Sequence, residues 1–412
     1  MTLGLLVSVL GSSLIWAADW PQWRGVGQNN HAALGATAPL EWKGKEGFAW
    51  VTPVPGRGHS SPTVVGNRIY LTTADTSDET QSLLIYDCNT GEELGRTIVL
   101  RGGLPEKIHL KNTHATPTAS CDGERVYVVF HNDGAIWATA LDLDGQKLWQ
   151  QRVTAFQPKK YEFGYAPSPV LCGNLLIVAA EYDGPESGIY AIDTATGERR
   201  WKATRPQGLS FSTPIPLGDR QKPQLLVSGN KKIAAYDFQD GVEVWSIEGS
   251  TQATCGTMVW DRKLRLAFAS GGYPDKFTVA IQMDGDHQVV WENQVCCYEQ
   301  SLLLDEGYLY AVADSGVAYC WRASDGEEMW KHRLGGKYSS SPLLVDGRIY
   351  VSNEAGTTFV IEATPDRFNL LAENQLGTEV FATPTPADGR LYYRFAEGTD
   401  ENRQEFLVAI GP

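Results

Sequence analysis

The chain has 412 residues, of which 42% are hydrophobic, so it can bury a sizeable core. Its formal net charge of -14 at pH 7 excludes general nucleic-acid binding, because a polyanion would be repelled. The seven cysteines are an odd number, which leaves at least one thiol unpaired within the chain. We therefore do not expect the fold to depend on disulfides.

The N-terminus predicts a secretory signal peptide over residues 1–18, MTLGLLVSVLGSSLIWAA. Its apolar stretch, residues 3–17, is short for a membrane span, and Ala17 and Ala18 stand just before the polar Asp19. We expect an exported protein, periplasmic or extracellular, with no integral membrane segment in the mature chain. The alternative is an uncleaved N-terminal anchor.

Residues 19–46 have no strand periodicity and are predicted to be an N-terminal extension. We expect Trp20 and Trp23 to anchor this extension against the side of the fold. A strand-like run, residues 48–51, follows just before Pro53, and no neighbouring stretch of sequence offers it a partner.

From residue 47 to residue 412 the chain repeats one unit of four short strands separated by Asp/Gly turns. Residues 297–334 show the unit clearly, and its runs have the two-residue period of strands rather than the period of a helix. Eight units begin 41 to 55 residues apart, at Pro62, Pro117, Pro169, Pro214, Gly256, Ser301, Pro342 and Pro384. This repetition predicts an all-β fold, an eight-bladed β-propeller of four-stranded antiparallel blades.

The last unit is one strand short, because residues 405–410 are its third strand and the chain ends at Pro412. We predict that the N-terminal run at residues 48–51 supplies the missing outer strand and closes the ring, which removes a free sheet edge. Trp50 would then take the place of a Trp that recurs four residues after a turn Gly, at Trp149, Trp201, Trp245 and Trp330. The equivalent positions in blades one, five and seven are assigned to Gly95, Trp291 and Leu370.

The stretch AIDTATGERRW (191–201), with looser forms at 140–149 and 235–245, resembles the quinoprotein-dehydrogenase-like, or PQQ-like, β-propeller repeat family. The resemblance covers residues 47–412 and implies that each repeated Trp docks against the neighbouring blade. The DWPQWRG, GRGHSSP, KNTHATP and SGGYPDK stretches further resemble secreted bacterial members without an assigned activity. The assembly-factor lipoprotein of the outer-membrane β-barrel machinery is a more distant resemblance.

The family resemblance also implies an alternative in which pyrroloquinoline quinone (PQQ) and Ca²⁺ occupy the channel mouth. Adjacent Cys296 and Cys297 could form the disulfide ring on which such a quinone stacks. Equally, they could be two small buried apolar residues at a strand start. No stretch matches the calcium ligands or the catalytic Asp of the longer quinoproteins, so we expect no cofactor, no metal site and no catalytic residues.

A ring of residues is predicted at the channel mouth, three positions before each repeat start. It consists of His59, His114, Ala166, Phe211, Ala253, Tyr298, Ser339 and Phe381. Two His and three aromatic residues around a funnel could hold a ligand, although they could also simply pack the channel. Two His without a carboxylate are a weak indication of a metal site.

The two long connections between blades are basic although the chain is acidic. Their cations and those nearby are Arg57, Arg101, Lys107, Lys111, Lys159 and Lys160, with Glu106 and Glu162 as the local acids. Such a field could steer an anionic ligand, or the charges could be solvated loop residues. The candidate ligand-binding residues are Arg57, His59, Lys111, His114, Tyr298 and Phe381.

These patterns lead to two functional hypotheses. The first is an exported, monomeric propeller that binds a protein, or an anionic envelope or extracellular ligand, through the face carrying the long connections and through the channel mouth. The alternative is a PQQ-dependent quinoprotein dehydrogenase acting on an alcohol or sugar.

Overall fold

The computed structural model describes residues 19–217, 223–249, 251–399 and 402–412. These residues form eight four-stranded antiparallel sheets arranged as an eight-bladed propeller, which confirms the predicted fold class. The predicted signal peptide, residues 1–18, lies outside the described residues. Within the described ranges, no helix has the length and apolar character needed to cross a membrane.

The blades follow one another in chain order, each built from its inner to its outer strand. Blade 1 consists of β2 Thr63–Val65, β3 Arg68–Asp75, β4 Thr80–Asp87 and β5 Glu93–Arg101. Blade 2 consists of β6 Ser120–Cys121, β7 Arg125–Asn132, β8 Ala135–Asp142 and β9 Lys147–Ala155. Blade 3 consists of β10 Val170–Cys172, β11 Leu175–Ala180, β12 Gly188–Asp193 and β13 Arg199–Thr204. Blade 4 consists of β14 Ile215–Leu217, β15 Gln224–Gly229, β16 Lys232–Asp237 and β17 Glu243–Glu248.

The second half of the ring has the same construction. Blade 5 consists of β18 Val259–Asp261, β19 Leu266–Gly271, β20 Phe277–Gln282 and β21 Val289–Asn293. Blade 6 consists of β22 Leu303–Asp305, β23 Tyr308–Val312, β24 Val317–Arg322 and β25 Glu328–Arg333. Blade 7 consists of β26 Leu343–Val345, β27 Arg348–Ser352, β28 Thr357–Glu362 and β29 Leu370–Gln375. Blade 8 consists of β30 Thr385–Ala387, β31 Arg390–Glu397 and β32 Gln404–Ile410, with β1 Phe48–Val54 as its outer strand.

The core lies between neighbouring blades, because the two middle strands of each sheet are covered on both faces. In blade 3, every residue of β11 (LLIVAA) and of β12 (GIYAID) is buried. The outer strand β13 (RRWKAT) instead alternates between buried and exposed residues at its end. Continuous apolar runs therefore mark the middle strands, and charged residues mark the outer ones.

The ring closes as predicted, through a strand from the N-terminal part of the chain. The strand β1 pairs antiparallel with β32, with Phe48 opposite Ile410 and Val54 opposite Glu405. Trp50 pairs with Ala409 and donates its indole N–H to the Cys88 carbonyl of blade 1, at 2.9 Å. Blade 8 thus has four strands, and its outer edge comes from a distant part of the sequence.

A β-bulge precedes the repeated Trp in the outer strands. In blade 3, Ala191 pairs with Trp201 but Ile192 pairs with Arg199, so Arg200 is the extra residue. A bulge of this kind re-aims the side chain next to it. The Trp201 indole N–H donates to the Phe238 carbonyl of blade 4 at 3.1 Å. The indole ring also packs against Gly241, where the Cβ of any other residue would lie only 2.4 Å from the ring.

Other blades repeat this arrangement with three exceptions, in blades 1, 4 and 7. In blade 1 the bulge places Gly95 at the Trp position, as expected. The indoles that donate to a carbonyl of the following blade, at 2.8–2.9 Å, belong to Trp149, Trp291 and Trp330. In blade 7 the bulge places Ala372, rather than the expected Leu370, at this position. Trp245 stacks on His287, with ring centroids 4.5 Å apart, because two additional residues follow the turn at Gly285.

We expect Trp201→Phe to destabilise the protein by about 1 kcal/mol, because the Phe238 carbonyl loses its indole donor while most of the ring packing remains. The matched control is Trp245→Phe, since Trp245 makes a stacking contact and no indole hydrogen bond within the described ranges. Urea unfolding of both variants measures the difference. Equal losses would show that the bond across blades contributes nothing.

The N-terminal extension crosses one end of the central channel, which corrects the expectation that it lies against the side. The backbones of Trp20 and Val64 in blade 1 exchange two hydrogen bonds of 2.7 and 3.0 Å. Arg24 reaches the Leu302 carbonyl of blade 6 at 2.9 Å. Further along, the Asn30 carbonyl accepts from Leu344 of blade 7 at 2.9 Å. The segment therefore spans the ring beneath the inner strands.

Candidate functional site

A belt of hydroxyl side chains surrounds the channel, one from each blade, two residues before each inner strand. Its members are Ser61, Thr118, Ser168, Thr213, Thr257, Ser301, Ser341 and Thr383. The backbone N–H of one member donates to the hydroxyl oxygen of the next, as from Ser61 to Thr118 at 3.0 Å and from Thr383 back to Ser61 at 3.1 Å. Five further links of the same kind, at 2.9–3.1 Å, join blades 2 to 4 and blades 5 to 8.

The belt identifies which residue of each blade lines the channel mouth. Three of these residues differ from the predicted ring. Two positions before each hydroxyl stand His59, Thr116, Ala166, Phe211, Cys255, Glu299, Ser339 and Phe381, and all eight line one central cavity. Three of the eight predicted positions were therefore displaced, at His114, Ala253 and Tyr298. In those blades no Pro follows the hydroxyl, and the repeat starts assigned there, Pro117, Gly256 and Ser301, lie two, two and one residues before the equivalent positions.

The central cavity has a volume of about 200 Å³. Five belt hydroxyls line it below the ring of mouth residues, and Trp23 of the N-terminal extension forms its floor. His109, Lys111, Asn112 and Phe163, from the two long connections, cover it. The connections are tied together by the Asn112 side-chain amide, which donates to the Phe163 carbonyl at 2.7 Å.

Lys111 crosses the mouth and joins the connection after blade 1 to the opposite side of the ring. Its Nζ lies 2.7 Å from Oε1 of Glu354 and 3.3 Å from Oε1 of Glu299, and the Ser339 hydroxyl bonds to both carboxylates. Burial alone would lower the pKa of Lys111, but the bonds to Glu354 and Glu299 outweigh burial and raise it. Lys111 is therefore a charged latch with its own counter-ions, and not the free cation expected for an anionic ligand.

We expect Lys111→Met to loosen the connection at residues 99–113, because two half-buried carboxylates would then face each other without a cation. Hydrogen exchange of these backbone amides should become several-fold faster. The control is Lys107→Met, in the same connection, whose pair with Glu162 is exposed at 69% and 49% of the two side chains. Equal protection in both variants would show that the latch does not hold the connection.

His59 and Phe381 form one wall of the cavity as a stacked pair, with ring centroids 4.3 Å apart and planes 11° apart. Burial, with the nearby charges of Arg57, Arg394 and Arg403, holds the pKa of His59 well below its usual range. The ring is therefore neutral at pH 7. Its Nε2 is buried and has no partner within the described residues.

Tyr298 and Cys255 line the cavity side by side. The Tyr298 ring lies so close to Gly272 of the SGGYPDK stretch that a Cβ there would be 2.2 Å away. That stretch therefore serves to seat the ring. Burial raises the pKa of Tyr298 and of the Cys255 thiol, so both groups remain protonated at neutral pH and can donate a hydrogen bond.

Arg57 and His114 lie outside the central cavity. They line a second cavity of about 230 Å³ on the blade 1 side of the connection, together with Asp75 and Thr76. Burial lowers the pKa of His114. Four of the six candidate ligand-binding residues, His59, Lys111, Tyr298 and Phe381, thus share one cavity, and the other two do not.

Cys296 and Cys297 are free thiols that do not line the cavity. The Cys296 thiol lies 3.1 Å from Oδ2 of Asp314, and the Cys297 thiol lies 3.4 Å from the Val312 carbonyl. Both side chains are buried at the junction of blades 5 and 6. This is the environment of small buried residues and not of a stacking floor.

Carboxylates bond to both long connections. Lys107 pairs with Glu162 at 3.0 Å, and the backbone N–H groups of Lys159 and Lys160 donate to Asp183 of blade 3 at 2.9 Å. Leu110, beside the latch, is almost fully exposed, at 92%. The covering face thus combines an exposed apolar side chain with exposed cations.

The residues present do not fit a PQQ site of the kind that the family resemblance implied. Neither cation among the candidate ligand-binding residues is placed to receive the carboxylates of the quinone, because Lys111 is already held by Glu299 and Glu354 and Arg57 faces another cavity. Cys296 and Cys297 do not line the cavity, and their thiols face Asp314 and the Val312 carbonyl instead. Within the described ranges, no three His, Cys, Asp or Glu residues are grouped so as to hold a metal ion.

The sequence profile described as outer membrane protein assembly factor BamB matches residues 14–163, 132–299 and 276–365, which is most of the chain. The chain belongs to this family of PQQ-like propellers. No curated protein is significantly similar to the chain in sequence.

Solved structures of two classes share the fold of this family member. BamB from Moraxella catarrhalis superposes with a TM-score of 0.63 at 13% identity, covering 89% of this chain and 97% of that one. Quinohemoprotein alcohol dehydrogenase from Comamonas testosteroni gives 0.67 at 13% identity, covering 96% and 81%. The ADHIIG quinohemoprotein alcohol dehydrogenase from Pseudomonas putida HK5 gives 0.66 at 12% identity, covering 96% and 80%. Similarities at this level of identity establish the fold and do not distinguish the two functions.

The lining residues that sequence reasoning missed include Thr116, Cys255, Glu299 and Phe163, and Glu354 in the latch was missed as well. A Ser or Thr two residues before each inner strand would have located the first three. Phe163 and Glu354 lie in a connection and a turn, which carry no periodic signal.

Proposed function

We propose that this propeller acts by binding, as an exported monomer whose covering face and cavity mouth take a protein or an envelope ligand. The observation that carries this proposal is the construction of that face. Two long connections are tied to each other and latched by Lys111 to blades 6 and 7, so they present a fixed surface above the cavity. A fixed surface binds at a lower entropic cost than a mobile one.

The chemistry of the surface also supports a macromolecular partner. Leu110 is exposed beside Lys111, and Arg101, Lys107, Lys159 and Lys160 are exposed in or next to the same two connections. An apolar anchor with surrounding charges is typical of protein interfaces, where the charges steer association. The family description, which refers to outer membrane protein assembly, is consistent with an exported protein that works on other proteins.

Site-specific photo-crosslinking in the producing cell tests the proposal. A photoreactive phenylalanine analogue at Leu110 should give a discrete adduct, whereas the same analogue at Val244, exposed on the outer strand of blade 4, should not. Equal adducts from the two positions, or none from Leu110, would remove the covering face as the binding surface.

The quinoprotein alternative has its own test. We expect no PQQ binding in the micromolar range with or without Ca²⁺, and no dye reduction with alcohols or sugars, because the cavity has no uncompensated cation to receive the quinone carboxylates. Tight PQQ binding would restore the enzyme hypothesis.

A further inference from the structure

Aromatic rings form the sides of the central cavity. The stacked pair of His59 and Phe381 stands in the ring of mouth residues with Phe211, and Phe163 and Tyr298 close the space from the connections and blade 6. Flat apolar faces around a space of about 200 Å³ favour a flat ring as occupant.

Hydroxyl groups line the lower part of the cavity. Thr118, Ser168, Thr213, Thr257 and Thr383 each belong to the belt and face this space. Four of them accept a backbone N–H from the preceding blade, as Thr118 does from Ser61 and Thr383 from Ser341. Within the described ranges, none of the five donates its O–H to a protein acceptor. Each therefore retains a proton to donate and a lone pair to accept with, which is the capacity needed to bind another hydroxyl.

An unpartnered group in the wall points to the same chemistry. The Nε2 of His59 is buried and has no partner within the described residues, although the ring lines the cavity. A buried polar atom without a partner is costly, and a bound polar molecule would remove that cost.

The charges of the cavity exclude an ionic occupant. Lys111 lies between the carboxylates of Glu299 and Glu354 and pairs with both, and His59 is neutral. An anion would therefore meet an excess of carboxylates, and a cation would have to displace Lys111 and the Ser339 hydroxyl from them. The occupant best matched to the cavity is therefore uncharged.

We propose that the central cavity binds one neutral, hydroxyl-rich ring, a single sugar or cyclitol unit, either free or at the end of a larger envelope glycan. The aromatic residues would contact the C–H faces of the ring, and the hydroxyl belt would bond to its hydroxyl groups. This assignment rests on the proposed binding function and adds a ligand class to it. No bond is made or broken in the bound molecule.

A series of sugars that differ in charge tests the assignment on the full chain. Glucose, mannose, N-acetylglucosamine and inositol are the neutral probes, and glucosamine and glucuronate are the cationic and anionic counterparts. Saturation-transfer NMR, which detects weak binding at up to about 10 mM ligand, should show transfer to the ring C–H protons of at least one neutral probe. Glucuronate should bind at least about tenfold more weakly than its neutral counterpart.

A pair of matched variants locates the site. Phe381→Leu should weaken binding at least about tenfold, because it removes a stacking face. Phe368→Leu should leave binding unchanged, although Phe368 also stacks on a His, His332, with centroids 3.9 Å apart at the outer edge of blade 7. Circular dichroism confirms that both variants fold.

The outcomes separate this assignment from the proposed function. Transfer to no neutral probe, equal binding of glucuronate, or unchanged binding in Phe381→Leu would each overturn the sugar assignment. If crosslinking from Leu110 persists in that case, the covering face remains a binding surface and only the ligand class is wrong. Loss of both signals would overturn the two proposals together.

Discussion

Deletion of residues 47–54 should abolish soluble, cooperatively unfolding protein. This deletion removes β1, the outer strand of blade 8, whose six paired positions run from Phe48 to Val54 along β32. The middle strand β32 would then become a sheet edge with unsatisfied backbone groups and exposed apolar residues. The measurements are the yield of soluble protein and the shape of its thermal unfolding curve. A deleted form that melts unchanged would show that β1 does not close the ring.

A relocated strand provides the control for this deletion. Phe48 pairs with Ile410, and Gly411 donates to the Gly47 carbonyl at 2.8 Å, so the start of β1 lies beside the end of β32. The segment FAWVTPV, attached after residue 412 through a two-residue turn, could therefore form a hairpin in the native register. Adding it to the deleted chain should restore solubility and a cooperative transition. Failure of this rescue with a correctly formed hairpin would mean that the connection to the extension matters more than the strand.

Glu405→Gln should cost about 3–5 kcal/mol of unfolding free energy, the usual cost of breaking a buried ion pair. Glu405 and Arg394 are only 2% and 3% exposed. The carboxylate of Glu405 accepts from Arg394 Nε at 2.6 Å and lies 2.8 Å from Arg403 Nη1. Arg394 in turn donates to the Thr72 carbonyl of blade 1 at 2.6 Å. Loss of the ion pair would therefore destabilise the junction of blades 8 and 1, where the ring closes. Denaturant unfolding gives the magnitude.

Two further variants, one in a surface ion pair and one double, show whether this loss of stability comes from an unpaired buried charge. Asp284→Asn breaks a two-bond pair with Arg265 whose side chains are 40% and 54% exposed, and it should cost less than about 1 kcal/mol. Replacing both Arg394 and Glu405 by apolar residues of similar size should cost much less than Glu405→Gln alone, because no buried charge is left unpaired. A double variant as unstable as the single one would instead indicate a packing defect.

The number of blades and the closure of the ring could be predicted because both depend on local periodic signals. Each blade carries its own turns and apolar runs. The run at residues 48–51 had no partner nearby, and only the last repeat lacked a strand, so the two could be matched. The exact mouth residues were predicted in five of eight blades, where a Pro follows the belt hydroxyl. In blade 2 the Pro precedes the hydroxyl, at Pro117 and Thr118, which shifted the prediction to His114.

Contacts across the ring could not be predicted, because the two residues of such a contact are far apart in the sequence and neither carries a pattern that indicates the other. Lys111 and Glu354 are 243 residues apart, and neither lies in a strand. The predicted site for an anionic ligand required Lys111 to be free of acidic partners. Because Lys111 pairs with Glu354, an anionic ligand is no longer expected in the cavity. The position of the N-terminal extension was missed for the same reason.

The bridge made by the N-terminal extension also sets the order in which the protein can fold. Residues 19–54 are the earliest part of the described chain, yet Asn30 needs Leu344, and Val54 bonds to Gln404, 350 residues later. Closing a loop of that length costs about 3 kcal/mol more entropy than closing a ten-residue hairpin. The blades can form one after another from local hairpins, and Trp20 can pair with Val64 early, whereas Arg24, Asn30 and β1 must wait for blades 6 to 8. We therefore expect ring closure to be the final folding step, with the bridge beneath the channel completed only when the last blades exist.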